Sequence, residues 1–518
     1  MSSSPAGYPP PLRLSSEALT AIGLVSIGVW LAPRRLRLIS WMLGLIILLI
    51  VLLKLSALAM RLSLDRPLNL ALDVVLLKAV ADLTIGAFGT IAGALILLAG
   101  LGVIFLLWMA LAASLYSVAT VISTSLKSAA PIAASGLILS GVTLGTLIWP
   151  AWSWPTVSAN TNRLVIEQVS LFARTERAKA DFRIAVADDP LGQSDRTLPG
   201  LAKTDVVLAF IESYGRTALD SEPFAPLIQS RLAQVEADMQ EAGLKVVSAW
   251  LSSPTIGGQS WLAHASVLGG IEVNNNAEYQ ALLQSDRLTL IDLFERTGHR
   301  SIAVMPAIIW PWPDGDLFGY DGVYAAADLG YQATPFNWVT MPDQFTLSAF
   351  ERLERSVPMA ERQPLFAEIA LISSHAPWTP IAQLVDWSNI DEGGMIFDEM
   401  ARQGPSPAEV WSDRERIRDH YARALDYTLS VVGDYATNFV DQQTLLIVLG
   451  DHQPAPIVTG EGAGPEVPIH VIASSDGFLR PFRSAGYTDG LVPGSQAPRA
   501  PMSTLRDLIA EGFNALDG

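Results

Sequence analysis

The hydrophobic pattern divides the chain in two. Up to about residue 155 the apolar positions come in long unbroken runs, and beyond it they come in short ones separated by polar turns. Four long runs stand out, at residues 18–32, 38–60, 84–116 and 129–149. The hydrocarbon core of a bilayer needs roughly 20 apolar residues of helix. The 38–60 run meets that length, with Lys54 near one end; the 84–116 run exceeds it and must tilt, kink or project. Trp149, Trp152 and Trp154 follow the last run as an interfacial aromatic belt would. Residues 68–83 are apolar but carry Asp73, Lys78 and Asp82, which predicts an interfacial or bundle-facing helix rather than a span. The pattern therefore predicts a membrane domain of about four transmembrane helices over residues 1–155, a connecting segment over 156–200 and a soluble domain over 201–518.

In the soluble part, strand and helix signals alternate. Residues 205–211, 245–251, 301–305, 365–372, 444–450 and 467–473 read as strands. Residues 288–296, ended by Gly298, and 413–440 read as helices. Short runs rich in Leu, Ile and Val suit strands buried on both faces. The alternation predicts an α/β domain with a mostly parallel central sheet covered by helices.

Two of these strands end in chemistry. Residues 444–449 are almost wholly aliphatic, stop at Gly450 and then present Asp451 and His452. The strand over 205–211 is followed by Glu212. Ligands of open α/β sheets bind at the carboxyl ends of strands. Glu212, Asp451 and His452 there can supply oxygen and nitrogen ligands to a borderline cation such as zinc or manganese. A polar strand-to-loop turn is the plainer reading of either end alone; its repetition favours the site.

Gly257-Gly258-Gln259-Ser260 reads as a loop entering a helix. Its glycines let the backbone approach closely, and Ser260 would face the free amides of a helix N-terminus, where an anion is favoured. A serine there is also an ordinary N-cap. Ser373-Ser374-His375-Ala376-Pro377-Trp378 follows another apolar strand, and His375 there can contact a phosphate oxygen or protonate a leaving group. Trp310, Trp312 and Trp378 are candidates for lining a head-group pocket, with core packing as the alternative. His264 lies one helical turn from Ser260. His470, inside a strand, reads as a core histidine, whereas His299 and His420 read as turn and helix-surface residues.

Charge and composition narrow the class. The chain carries a net charge of −17 and no cysteine. Residues 1–155 are net +5, so the remainder carries −22. A strongly acidic soluble part excludes the basic footprint of a nucleic-acid binder. The absence of cysteine removes disulfides and thiolate ligands. Arg34, Arg35 and Arg37 form the strongest positive cluster between the first two runs. By the positive-inside rule that loop is cytoplasmic, and four spans then place the soluble domain on the extracytoplasmic side of the cell (inner) membrane.

The order strand-Glu212, Gly-Gly-Gln-Ser260, Ser-His375-Ala-Pro-Trp378 and Gly-Asp451-His452, behind several apolar runs, resembles the sulfatase-like branch of the alkaline phosphatase superfamily. The likeness is to membrane-anchored phosphoglycerol and phosphoethanolamine transferases of the lipoteichoic acid synthase type, and covers about residues 200–475. The resemblance implies one divalent metal, manganese or zinc, bound by Glu212, Ser260, Asp451 and His452. It implies Ser260 as the nucleophile, where the family commonly has threonine, and His375 as a substrate contact. It further implies a membrane phospholipid head-group donor, a phospho-serine intermediate and a glycan or lipid acceptor. With water as acceptor the same site would be an envelope phosphodiesterase or sulfatase-type hydrolase; an inactive scaffold is the third reading. Trp310-Pro311-Trp312-Pro313-Asp314 lacks the arginine of the family's glycerol-phosphate-binding segment, and the sequence after Ser260 lacks the Pro and Arg of formylglycine sulfatases.

Overall fold

The computed structural model describes residues 14–15, 27, 33–125, 134, 138, 157–158, 160–192 and 195–514. The apolar runs at 18–32 and 129–149 and the tryptophan belt fall almost wholly outside them. The chain divides into two compact units, Met1–Met60 with Pro67–Arg177, and Arg61–Arg66 with Ala178–Gly518.

The first unit is helical. Helices α1 (Leu36–Leu64), α2 (Leu76–Phe88) and α3 (Thr90–Ser125) carry the apolar runs. Among the described residues two helices, Leu36–Leu64 and Thr90–Val121, are long and apolar enough to cross a membrane. Ile91, Leu98 and Leu101 on α3 point outward, an apolar surface of the kind lipid tails cover. The 84–116 run is not one helix, contrary to its unbroken hydrophobicity. It breaks at Gly89, whose φ of +79° is strained for any residue with a side chain. Residues 84–88 therefore belong to α2, which packs along α3 so closely that a Cβ on Gly93 would lie 2.7 Å from the Ile85 backbone. The 68–83 segment forms the short turn Leu70–Asp73, capped by Asn69, and then the start of α2. Trp41 of α1 and Trp108 of α3 meet edge to face at 4.9 Å. Helix α4 (Asn160–Ala187) follows.

The second unit is an α/β domain around a nine-stranded sheet. Its strands are β1 (Asp205–Ile211), β2 (Lys245–Ser252), β3 (Arg300–Met305), β4 (Gly322–Ala325), β5 (Leu365–Leu371), β6 (Thr444–Gly450), β7 (Glu466–Ala473), β8 (Thr488–Asp489) and β9 (Arg499–Pro501). The order across the sheet is β8-β2-β7-β6-β1-β5-β3-β4, with β9 also on β2. The five strands β6, β1, β5, β3 and β4 are mutually parallel. Strand β7 runs antiparallel between β6 and β2, and β8 is antiparallel to β2, so the sheet is mixed with a parallel centre.

The centre is buried on both faces, as its sequence requires. Val207, Ala209 and Ile211 of β1 pack on one side with α5 (Ala225–Glu241), α8 (Asp343–Phe350) and α9 (Arg414–Phe439). Val206, Leu208 and Phe210 pack on the other with α6 (Ser260–Gly269), α7 (Leu290–Thr297) and α10 (Thr504–Gly512). Successive strand residues point to opposite faces, so an all-apolar strand serves two cores at once. Helix α7 begins with a Thr289–Asp292 capping box and ends at Gly298 in the left-handed region.

One buried acid in this frame makes stability depend on pH. Asp343, at the start of α8, is fully buried, and burial pushes its carboxyl up to about 6 against the hydrogen bonds from Thr428 and the 372–373 turn. Its charge in turn adds to the burial that holds the Tyr427 phenol well above its ordinary range. Between pH 4 and 6 the folded state then binds more protons at this position than the unfolded chain, so stability contributed here falls as pH rises through that window and stays lower above it. Asp343→Asn does not titrate. Its stability relative to the native chain should improve by about 2–3 kcal/mol between pH 4 and pH 7 in denaturant titrations. A difference that does not move with pH would contradict the shift.

Candidate metal and nucleophile centre

Register places the site. Ile211 of β1 pairs with Leu371 of β5 on one side and Gly450 of β6 on the other. Three adjacent parallel strands therefore end level, and the next residues, Glu212, Ile372 and Asp451, leave the sheet in one row. The ladder continues one step further, with Glu212 N donating to Leu371 O at 3.0 Å and Asp451 N to Ile211 O at 3.1 Å. Gly450 is needed there because a Cβ would lie 1.9 Å from the Tyr214 carbonyl oxygen as the chain turns after β1.

The fourth group arrives from β2. The loop after that strand is zipped to the segment following β6: Ser253 Oγ donates to Asp451 O at 2.6 Å, and Gly257 N donates to Gln453 O at 2.8 Å. Gly257, Gly258 and Gln259 all have positive φ, and the turn delivers Ser260 as the first residue of α6. Ser260 Oγ lies 3.2 Å from Glu212 Oε2 and 3.3 Å from His452 Nε2. His452 Nε2 is 3.4 Å from Glu212 Oε1 and 3.6 Å from Asp451 Oδ2. Glu212, Asp451 and His452 each offer a ligand atom, and these atoms lie within 4.8 Å of one another.

The electrostatics call for a cation. Asp451 and His452 are almost fully buried and Glu212 nearly so. Burial and the neighbouring Glu212 hold the Asp451 carboxyl well above the usual carboxylate range. Burial also works to raise Glu212, but the imidazoles of His452 and His375 outweigh it and bring the carboxyl down to about 2. Among the described residues the ion-pair partner of both carboxylates is His452 alone. Two buried carboxylates with a single imidazole at ion-pair distance are costly without further positive charge. The donor set of two carboxylates, one imidazole and one hydroxyl fits a divalent metal of the zinc or manganese type.

The surrounding bonds orient these groups for that purpose. His452 Nδ1 faces Gln453 O at 2.9 Å, which fixes the ring and leaves Nε2 for the centre. Asp451 Oδ1 accepts from Ser213 N at 2.8 Å and His452 N at 2.6 Å, leaving Oδ2 inward. Ser213 Oγ donates to Glu212 Oε1 at 2.8 Å. Ser213 itself has φ +57°, a strained value for serine, and its carbonyl accepts from buried Tyr421 OH at 2.9 Å.

The other candidates separate into near and far. His375 is half-buried; its Nδ1 faces Ala376 O at 2.6 Å and its ring stacks on Trp338 at 3.8 Å. His264 stacks on Phe210 at 3.8 Å, bonds Glu368 Oε1 through Nδ1 at 2.7 Å and acts electrostatically on Asp451. Trp378 is not at the centre. It is buried, stacks on the exposed Trp411, meets buried Tyr421 edge to face and donates its indole N–H to Ser374 O at 2.7 Å, so it is a core residue holding the His375 turn. Trp312 packs over Gly315 at the start of the short helix Pro313–Phe318, and none of its described contacts reaches the four converging groups.

His470 is a core histidine, between Tyr214 OH and Ser248 Oγ. His299 and His420 are buried rather than superficial, bonded to the carbonyls of Thr204 and Trp378. Sequence reasoning missed Trp338 and the Glu368–Tyr320 pair behind His264. Glu368, an acid in the middle of a buried strand, was the visible signal for the latter.

No family model matches the chain, and no curated protein matches it. Among solved structures it is similar to the lipoteichoic acid synthase LtaP from Listeria monocytogenes, at 12% identity and a TM-score of 0.41, over 66% of this chain and 78% of that one. It is also similar to the Streptococcus pyogenes phosphoglycerol transferase GacH in complex with sn-glycerol-1-phosphate, at 13% identity and a TM-score of 0.36, over 66% and 91%. The C-terminal periplasmic domain of EcEptC from Escherichia coli is similar at 14% identity and a TM-score of 0.37, over 60% and 84%.

Proposed function

We propose that the chain is a membrane-anchored, metal-dependent phosphotransferase of the sulfatase-like branch of the alkaline phosphatase superfamily. It moves phosphoglycerol or phosphoethanolamine from a phospholipid donor to a glycan or lipid acceptor of the cell envelope. The observation that carries this reading is the convergence of Ser260 Oγ with Glu212, Asp451 and His452 at the level ends of three parallel strands.

Glu212, Asp451, His452 and Ser260 would hold one manganese or zinc ion, which lowers the pKa of a bound hydroxyl and offsets phosphoryl charge. Ser260 Oγ attacks the donor phosphorus; the new O–P bond forms as the bond to the diacylglycerol oxygen breaks. His375, as an imidazolium whose Nδ1 proton is held by Ala376 O, gives its Nε2 proton to that departing oxygen and regains one from the acceptor hydroxyl in the second half of the reaction. The main-chain amides of Ser260 and Trp261, at the start of α6, would receive the phosphoryl oxygens bound at Ser260, Leu262 N being taken by Gln259 O. An acceptor hydroxyl then attacks phospho-Ser260 and releases the serine oxygen.

Arg34, Arg35 and Arg37, at the start of α1, mark that end of the helix as cytoplasmic, and a site on the extracytoplasmic side then requires the 129–149 run to span as well. Purified full-length protein with manganese or zinc should release diacylglycerol from head-group-labelled phosphatidylglycerol or phosphatidylethanolamine, and a chelator should stop it. No diacylglycerol from either lipid with either metal would contradict the assignment.

A further inference from the structure

Asp343 is a buried acid that the chemistry above does not use. Its contacts run to one place, the turn over residues 372–375 that leaves β5. Asp343 Oδ1 accepts from Ile372 N at 2.7 Å and from Ser373 N at 2.9 Å. Its own N–H donates to Ser373 Oγ at 2.9 Å. Oδ2 accepts from Thr428 Oγ1 of α9 at 2.7 Å, and both Asp343 and Thr428 are wholly buried. Two amides at a strand end would otherwise be orphaned in the core.

The opposite side of the same turn grips the centre. Buried Ser374 donates its hydroxyl to the main-chain oxygen of Glu212 at 2.5 Å. The next residue is His375, whose N–H donates to Ile372 O at 3.0 Å. Trp338, five residues before Asp343, stacks on the His375 ring. One segment, Trp338 to Asp343, thus holds His375 by its ring and its turn by the backbone, and reaches Glu212 through Ser374.

We propose that Asp343 is a positioning residue of the metal centre, acting through the 372–375 turn and Ser374 on the placement of Glu212. The inference rests on the reading of Glu212 as a ligand. The role belongs to the acceptor oxygen Oδ1 rather than to the negative charge, because that one atom takes both amides. Asparagine in its place keeps Oδ1, and its amide N–H can donate to a Thr428 hydroxyl that turns to accept. Alanine leaves the turn free to shift.

The test is titration of the purified full chain with manganese and with zinc, read by calorimetry. Asp343→Ala and Ser374→Ala should each weaken binding by about 10- to 100-fold, the usual cost of losing a group that orients a ligand. Asp343→Asn should stay within about threefold of the native chain. A purely structural role would lower the melting temperature of Asp343→Ala without changing the affinity of the folded fraction. Native affinity in folded Asp343→Ala overturns the inference. If that variant does not fold, Ser374→Ala, which lacks one hydroxyl, decides: native affinity there overturns it equally. A native chain that binds neither metal is a different result, and overturns the metal centre itself together with this inference.

Discussion

Ser260→Ala is expected to abolish turnover, by about 10⁴-fold or more, while the domain stays folded and Glu212, Asp451 and His452 stay in place. The side chain is half-buried, and its hydroxyl contacts Glu212 and His452 without supporting any strand or helix. Its loss removes the attacking atom and one of four donors. Ser260→Thr should keep partial activity, since threonine offers the same hydroxyl with one more methyl. Ser266 is the competing serine on α6, but it is fully buried, donates to Leu262 O at 2.7 Å and accepts from Val273 N at 2.9 Å. Ser266→Ala should therefore cost stability and leave the chemistry of folded protein intact. Native turnover in Ser260→Ala with a dead but folded Ser266→Ala would place the nucleophile elsewhere on the helix.

The second large effect is on metal. Asp451→Ala should weaken metal binding by more than about 100-fold, because it removes a charged ligand from a centre with two. It also frees Ser213 N and His452 N, both of which donate to Asp451 Oδ1. Asp451→Asn keeps an oxygen for those two amides and removes only the charge. Elemental analysis should therefore find both variants depleted, with Asn retaining the better-ordered site. Stoichiometric metal in Asp451→Ala would remove it from the ligand set.

The converging residues were legible in the sequence for a physical reason. Short strands buried on both faces have no polar position to spare, so a carboxylate right after one marks the sheet edge where ligands bind. Glu212 and Asp451-His452 carry that signal, and the glycines before Ser260 announce a backbone that approaches closely. Strand direction is not written in the same pattern: β7 is buried along almost its whole length, like β6, yet runs antiparallel to it. The break at Gly89 was hidden because hydropathy does not register φ.

Trp378 reads as a pocket residue from its place beside His375, but its indole N–H finds a buried acceptor in Ser374 O and the ring joins the core. The ring that does meet His375, Trp338, sits in a stretch without helical or strand periodicity, where nothing local ties it to a site more than thirty residues on. Asp343 was equally silent, since a helix-start acid is ordinarily solvated and its burial comes from α9 and the β5 turn.

The most direct measurement is mass analysis of the Ser260 peptide after the full-length protein, loaded with manganese, is mixed with head-group-labelled phosphatidylglycerol or phosphatidylethanolamine and quenched early in turnover. The account predicts a labelled phosphoglycerol or phosphoethanolamine adduct on Ser260, absent from Ser260→Ala and lost when acceptor is added. Turnover of the lipid with Ser260 unmodified at every quench time, or an adduct on another residue, would contradict it.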